Sequence, residues 1–174
     1  MKTTLLLIIT LLLAACGPST DPSSETAQPV DPDIQSVFAE VSSEEAPISI
    51  PDARAEKKPG EDVVLEGRIM GVMEPFIDGR AVFVLGDNSV ITPCSDMEMS
   101  CETPWDACCD PSETLVNGTA TVQIVDENGQ ILKQGLEGVN GLAKLSSVKV
   151  SGTVNKASSP NSLIVNAETI EVID

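Results

Sequence analysis

The chain has 174 residues, with 27 acidic against 10 basic side chains, a formal net charge of −17, and no histidine. Without histidine it can build neither a Ser-His hydrolase nor a His-ligated zinc or haem site. Its acidity opposes phosphate backbones, whose capture depends on lysine and arginine displacing counterions, and one tryptophan with no tyrosine leaves no aromatic platform for stacking single strands, so no nucleic-acid partner is expected.

At the N-terminus Lys2 precedes an apolar run from Leu5 to Leu13 that ends in Ala14 and Ala15. The run is too short to span a bilayer as a helix. A positive end, a short apolar stretch and a small-residue exit are the parts of a cleaved export signal, so residues 1–15 address the protein rather than build it. The segment Leu13-Ala14-Ala15-Cys16-Gly17 resembles the lipobox of bacterial lipoproteins. That resemblance implies a lipid on Cys16, which then heads the mature chain, and attachment to a membrane of the cell envelope at its periplasmic or cell-surface face. Gly17 in place of an aspartate implies onward sorting to an outer membrane where one exists. Each buried methylene contributes about 0.8 kcal/mol, so several acyl chains hold a soluble domain at a bilayer where one chain is marginal.

Residues 16–59 are rich in Pro, Ser, Glu and Asp and read as a mostly disordered acidic tether. A flexible chain of that length has a root-mean-square reach of roughly 35–40 Å. Within it, Ile34, Val37, Phe38 and Val41 fall at helical spacing behind Asp33, which predicts a short helix over 34–42. Such a helix is marginal alone and needs a surface to dock on.

Residues 60–174 suit one domain, and there the period changes to two. Val63, Leu65 and Ile69 alternate with Val64, Glu66 and Arg68, a first strand with one buried face. The turn dipeptide Asp78-Gly79 leads into a second strand, Arg80 to Gly86, its antiparallel neighbour. A third strand spans Thr119 to Val125, followed by a looser stretch from Gly135 to Leu142; the last two strands are Leu145 to Asn155 and Ser162 to Val172. A meander, a gap and a hairpin give the order of an all-β, five-stranded Greek-key barrel of the OB type. A small β-sandwich is the rival arrangement.

Between the second and third strands lies the one locally unusual stretch. It holds Cys94, Cys101, Cys108 and Cys109, together with Met97, Met99, Trp105 and Asp106. An even number of cysteines in an exported chain reads first as two disulfides. A bond between adjacent Cys108 and Cys109 closes a strained ring, so Cys94 and Cys101 are each expected to bond one of that pair. The alternative is a metal site. Four thiolates bind zinc tetrahedrally, and Met97 and Met99 add soft thioethers suited to Cu(I), although the intervals are not those of paired Cys-x-x-Cys knuckles. On the first reading no cofactor is needed; on the second, zinc or copper is.

The stretch from Ile77-Asp-Gly-Arg-Ala-Val-Phe83 to Thr103-Pro-Trp-Asp-Ala-Cys-Cys-Asp110 resembles a family of uncharacterised exported bacterial proteins with a TPWD-x-CC signature, over about Pro59 to the C-terminus. The resemblance implies that Trp105, Cys108 and Cys109 belong to one structural or functional knot, and it implies no substrate. Family members more usually carry an aromatic residue where this chain has Ala107.

Asn117-Gly-Thr119 fits a glycosylation acceptor and Asp126-x-Asn128-Gly129 faintly matches a calcium loop, but both read as turns. Glu98, Glu102, Asp106 and Asp110 read as a solvated acidic loop. No acid, base and nucleophile converge in the sequence, so a non-enzymatic domain is expected. The leading expectation is a lipid-tethered binding or scaffold domain whose disulfide-braced loop, with Trp105 and Asp106 as candidate surface, meets a protein or small ligand; metal handling by the same loop is the alternative.

Overall fold

The computed structural model describes residues 29–38, 45–98 and 101–173. In chain order they form α1 (Pro32–Ser36), α2 (Ile50–Glu56), β1 (Asp62–Ile69), β2 (Val82–Gly86), α3 (Ser112–Gly118), β3 (Thr119–Gln123), β4 (Ser147–Val154) and β5 (Leu163–Val172). The five strands close into a barrel in the order β1-β2-β3-β5-β4. Every pairing is antiparallel except β3 with β5. That circuit is the OB-like Greek key, and closure excludes the rival sandwich.

The strands form where the two-residue period allows one face to be buried. Leu65, Ile69, Phe83, Leu85, Val122, Val148, Val150, Val165 and Ile170 are all nearly inaccessible and share one core. At the first hairpin Arg80 N–H donates to Ile77 O and Ile77 N–H to Val82 O, with Gly79 at φ 65°, a value glycine adopts without a Cβ clash. The β4–β5 pairing shifts register between Ser151 and Gly152. A Cβ at Gly152 would collide with Asn166 O, so the bulge that bends this hairpin around the barrel requires glycine there. The looser stretch after β3 is not idle either, since Leu136 and Leu142 are fully buried in the barrel core.

The tether expectation needs correction for residues 29–38 and 45–59. Asp31 caps α1 by accepting from Asp33 N–H, Ser49 caps α2 by accepting from Asp52 N–H, and both helices carry proline in the first turn. Ile34, Ile50 and Ala53 are 0% exposed and belong to the barrel core. Ile170 N–H donates to Val37 O, Ile48 N–H to Val64 O, and Ile50 N–H to the buried carboxylate of Asp87. The Ile48 segment therefore lies along β1, and Val64, expected on the outer face, is buried. The short helix runs Pro32–Ser36 rather than 34–42; Val41 lies outside the described residues, as do residues 1–15, expected to be an export signal, and Cys16 and Gly17. A polar composition concealed a few apolar residues, each of which docks on the barrel. No helix among the described residues is long and apolar enough to cross a membrane.

Candidate metal centre

The cysteine loop hangs from the end of β2. Asp87 folds the chain back there: its carbonyl accepts from Val90 and Ile91 N–H, and its carboxylate accepts from Ser89 N–H and Oγ. The chain then enters a 3-10 turn, Cys94–Asp96. The returning segment is laced to this one, with Cys94 N–H donating to Asp106 O at 2.7 Å and Ser95 N–H to Pro104 O at 2.8 Å. Thr92 N–H donates to Asp110 Oδ2 at 2.9 Å, and Gly71 N–H, just past β1, to Trp105 O at 2.9 Å. Arg68 of β1 pairs with Asp96 at 2.8 Å.

Beneath this lacing lies a second, small core. Met70, Ile91 and Ala107 are buried together, with Val90, Trp105, Leu115 and Leu145 packed around them. Trp105 donates its indole N–H to Met73 O at 2.7 Å, and Lys144 Nζ stands 4.2 Å over its ring. Leu145 takes φ 72°, a conformation that costs an L-residue about 1–3 kcal/mol and persists only where its surroundings enforce it. Its neighbours in the small core provide that enforcement.

The loop brings the four cysteines together as free thiols. The sulfurs of Cys94, Cys108 and Cys109 lie within 4.8 Å of one another, and Cys101 is within hydrogen-bonding reach of Cys94. Cys94 Sγ and Cys108 Sγ are 3.7 Å apart, well beyond a disulfide bond of about 2.05 Å. The expected pairing of Cys94 and Cys101 with the adjacent cysteines is thus not formed in this structure. Cys94 is buried, Cys101 half-buried, and Cys108 and Cys109 exposed. Burial, followed by hydrogen bonds to Cys101 and Cys108, pushes the Cys94 thiol up to about 12. Cys109 is also raised, by desolvation and then by the charge of Cys108. Both shifts favour the protonated thiol at Cys94 and Cys109, because burial and like charges at this spacing disfavour the thiolate.

Met97 is half-buried beside the 3-10 turn, and Met99 lies outside the described residues. Asp106 is buried and its backbone carries the lacing; Trp105 is half-buried with its N–H engaged internally. Glu98 and Glu102 are exposed, and Asp110 is tied to Thr92. Asp126 accepts from the N–H groups of Asn128 and Gln130, which makes that segment a turn closed on its own carboxylate. Sequence reasoning missed Met70, Ile91 and Ala107 as the platform under the loop. Ala107, between Trp105 and the cysteine pair, was the available signal, since a small residue in a knot marks close packing.

No family model and no curated protein matches the chain. Among solved structures, the hypothetical protein ygiW from E. coli is similar at 15% identity and a TM-score of 0.39, over 74% of this chain and 91% of that one. At that distance it bears on neither ligand nor activity.

Proposed function

We propose that this protein is a lipid-anchored domain of the cell envelope that holds a soft metal ion, zinc or Cu(I), in the thiolate cluster of Cys94, Cys101, Cys108 and Cys109. The observation that carries the reading is the spacing of unbonded sulfurs. Zinc–sulfur bonds of about 2.3 Å set the sulfurs of a tetrahedral site roughly 3.8 Å apart, and Cys94 and Cys108 stand at 3.7 Å. Thiolate-only donors suit these two ions and not calcium or magnesium. The residues of the chain supply buried Cys94 as the fixed ligand, exposed Cys108 and Cys109 as the approachable ones, and backbone lacing that ties the Cys94 turn to the segment leading into Cys108 and Cys109. A bound cation replaces the thiol protons, so loading releases protons and strengthens as pH rises. Anchoring rests on the Cys16 lipobox resemblance, which supports a position for the centre beside a membrane of the cell envelope.

A second reading is supported by the same 3.7 Å pair: after a modest shift, thiol–disulfide exchange with an external disulfide oxidant, which takes the two electrons and two protons and leaves as its dithiol, bonds Cys94 to Cys108 and gives a disulfide-braced surface for a protein or small ligand. One experiment separates the two. The intact mass of protein purified without reductant, before and after alkylation and after denaturation, is measured with metal content on the same sample. Four alkylatable thiols with stoichiometric metal are expected. A mass lowered by two hydrogens per bond, no alkylation and no metal would overturn the metal reading in favour of the brace.

A further inference from the structure

A cavity of about 400 Å³ opens where α2, α3 and the turn between β4 and β5 meet. Its walls are largely apolar, from Pro51, Ala55, Val154, Pro160 and Leu163; Arg54 and Lys57 also line it, and no carboxylate does. In a chain with 27 acidic and 10 basic side chains, a hollow bordered by two cations and no acid reverses the sign of the surface around it.

Arg54 is held from three directions. Its Nη1 donates to Pro160 O at 3.2 Å, and its Nη2 donates to Val116 O at 2.6 Å and Thr119 O at 2.7 Å. These carbonyls aim the guanidinium but bring no formal counter-charge. Glu113 borders the adjoining hollow, yet among the described residues neither Arg54 nor Lys57 forms an ion pair. The Nε of Arg54 is buried without a hydrogen-bond partner, and burial draws the guanidinium below its ordinary pKa. A partly desolvated cation lacking an anion is an unfavourable arrangement that an anion relieves.

We propose that this cavity binds a small organic monocarboxylate, its head group against Arg54 and Lys57 and its apolar body along Pro51, Val154 and Leu163. The volume lies within the range of small-molecule sites. With most guanidinium donors committed to carbonyls, two monocations and one open Nη1 N–H suit a single negative charge rather than a phosphate dianion. The site is separate from the cysteine loop, and the proposal stands without the metal reading.

The test is calorimetric titration of the full chain with hexanoate, hexanol and hexylamine. Saturable one-site binding of hexanoate alone is expected. Lys57→Ala should weaken it about tenfold, the scale of one charged contact. Ala55→Glu, on the exposed side of α2, places a carboxylate in the hollow without touching the carbonyls that hold Arg54. It should abolish binding while thermal unfolding stays within a few degrees of the parent. Binding of hexanol as tight as that of hexanoate, unaltered binding to Ala55→Glu, or no saturable heat with hexanoate would each overturn the proposal.

Discussion

The barrel core and the small core beneath the cysteine loop differ in how their order is secured. The barrel draws on five strands and two docked helices, so each apolar side chain is held by neighbours distant in sequence. The small core has three fully buried residues, Met70, Ile91 and Ala107, and the loop above it is fixed mainly by backbone hydrogen bonds to Asp106, Pro104 and Trp105. Stability resides in the first region and the candidate chemistry in the second. A site on a thinly supported loop can rearrange around a ligand without unfolding the scaffold.

Substitutions that strike one region and spare the other test this contrast. Phe83→Ala, in the barrel, should cost about 3–5 kcal/mol in chemical denaturation, with metal stoichiometry kept in the fraction that remains folded. Ile34→Ala should cost about 2–5 kcal/mol; a loss under 1 kcal/mol would mean that α1 is not part of the folded body. Ile91→Ala, in the small core, carries a similar range of about 2–5 kcal/mol and should sit at its low end. Its larger effect should be on zinc affinity, followed by competition with a chromogenic chelator, and unchanged affinity would separate the small core from the cysteines.

pH separates the regions further. Cys94 has its folded-state pKa raised to about 12, so the protonated thiol is favoured in the fold. The contribution is fully present below the ordinary thiol range near pH 9 and is lost as pH rises through about 12. Metal-free protein should therefore lose stability across that window, and Cys94→Ala should flatten the loss. The smallest effect is expected for Trp105→Phe, which removes the indole N–H to Met73 O and weakens the Lys144 contact. Its cost should be about 1–2 kcal/mol, visible as lower thermal stability with the barrel's circular dichroism intact.

The barrel was legible because its strands obey a period of two and its turns carry Asp-Gly and Asn-Gly signals at the right places. Strand order followed from the looser stretch after the third strand, Gly135 to Leu142. For α1 the helical spacing of Ile34, Val37 and Phe38 and its need of a surface to dock on were legible; α2 and the barrel surface that receives both were not, because Ile48 and Ile50 are isolated apolar residues in acidic, proline-rich sequence, and their burial depends on barrel surfaces that periodicity does not describe. The cysteine loop was legible as a cluster, since four cysteines stand within sixteen residues of one another. Which sulfurs meet was not, because that is decided by Cys94 N–H reaching Asp106 O and by Ala107 sinking between Met70 and Ile91. The Arg54 cavity left no sequence signal, since its walls come from four separate segments.

The docking of α1 also decides where a pull on the chain from its N-terminal side is borne. Ile34, buried in the barrel core, and Val37, whose carbonyl accepts from Ile170 N–H of β5, act as a cable grip: such a pull loads these contacts before it can reach the strands or the cysteine loop.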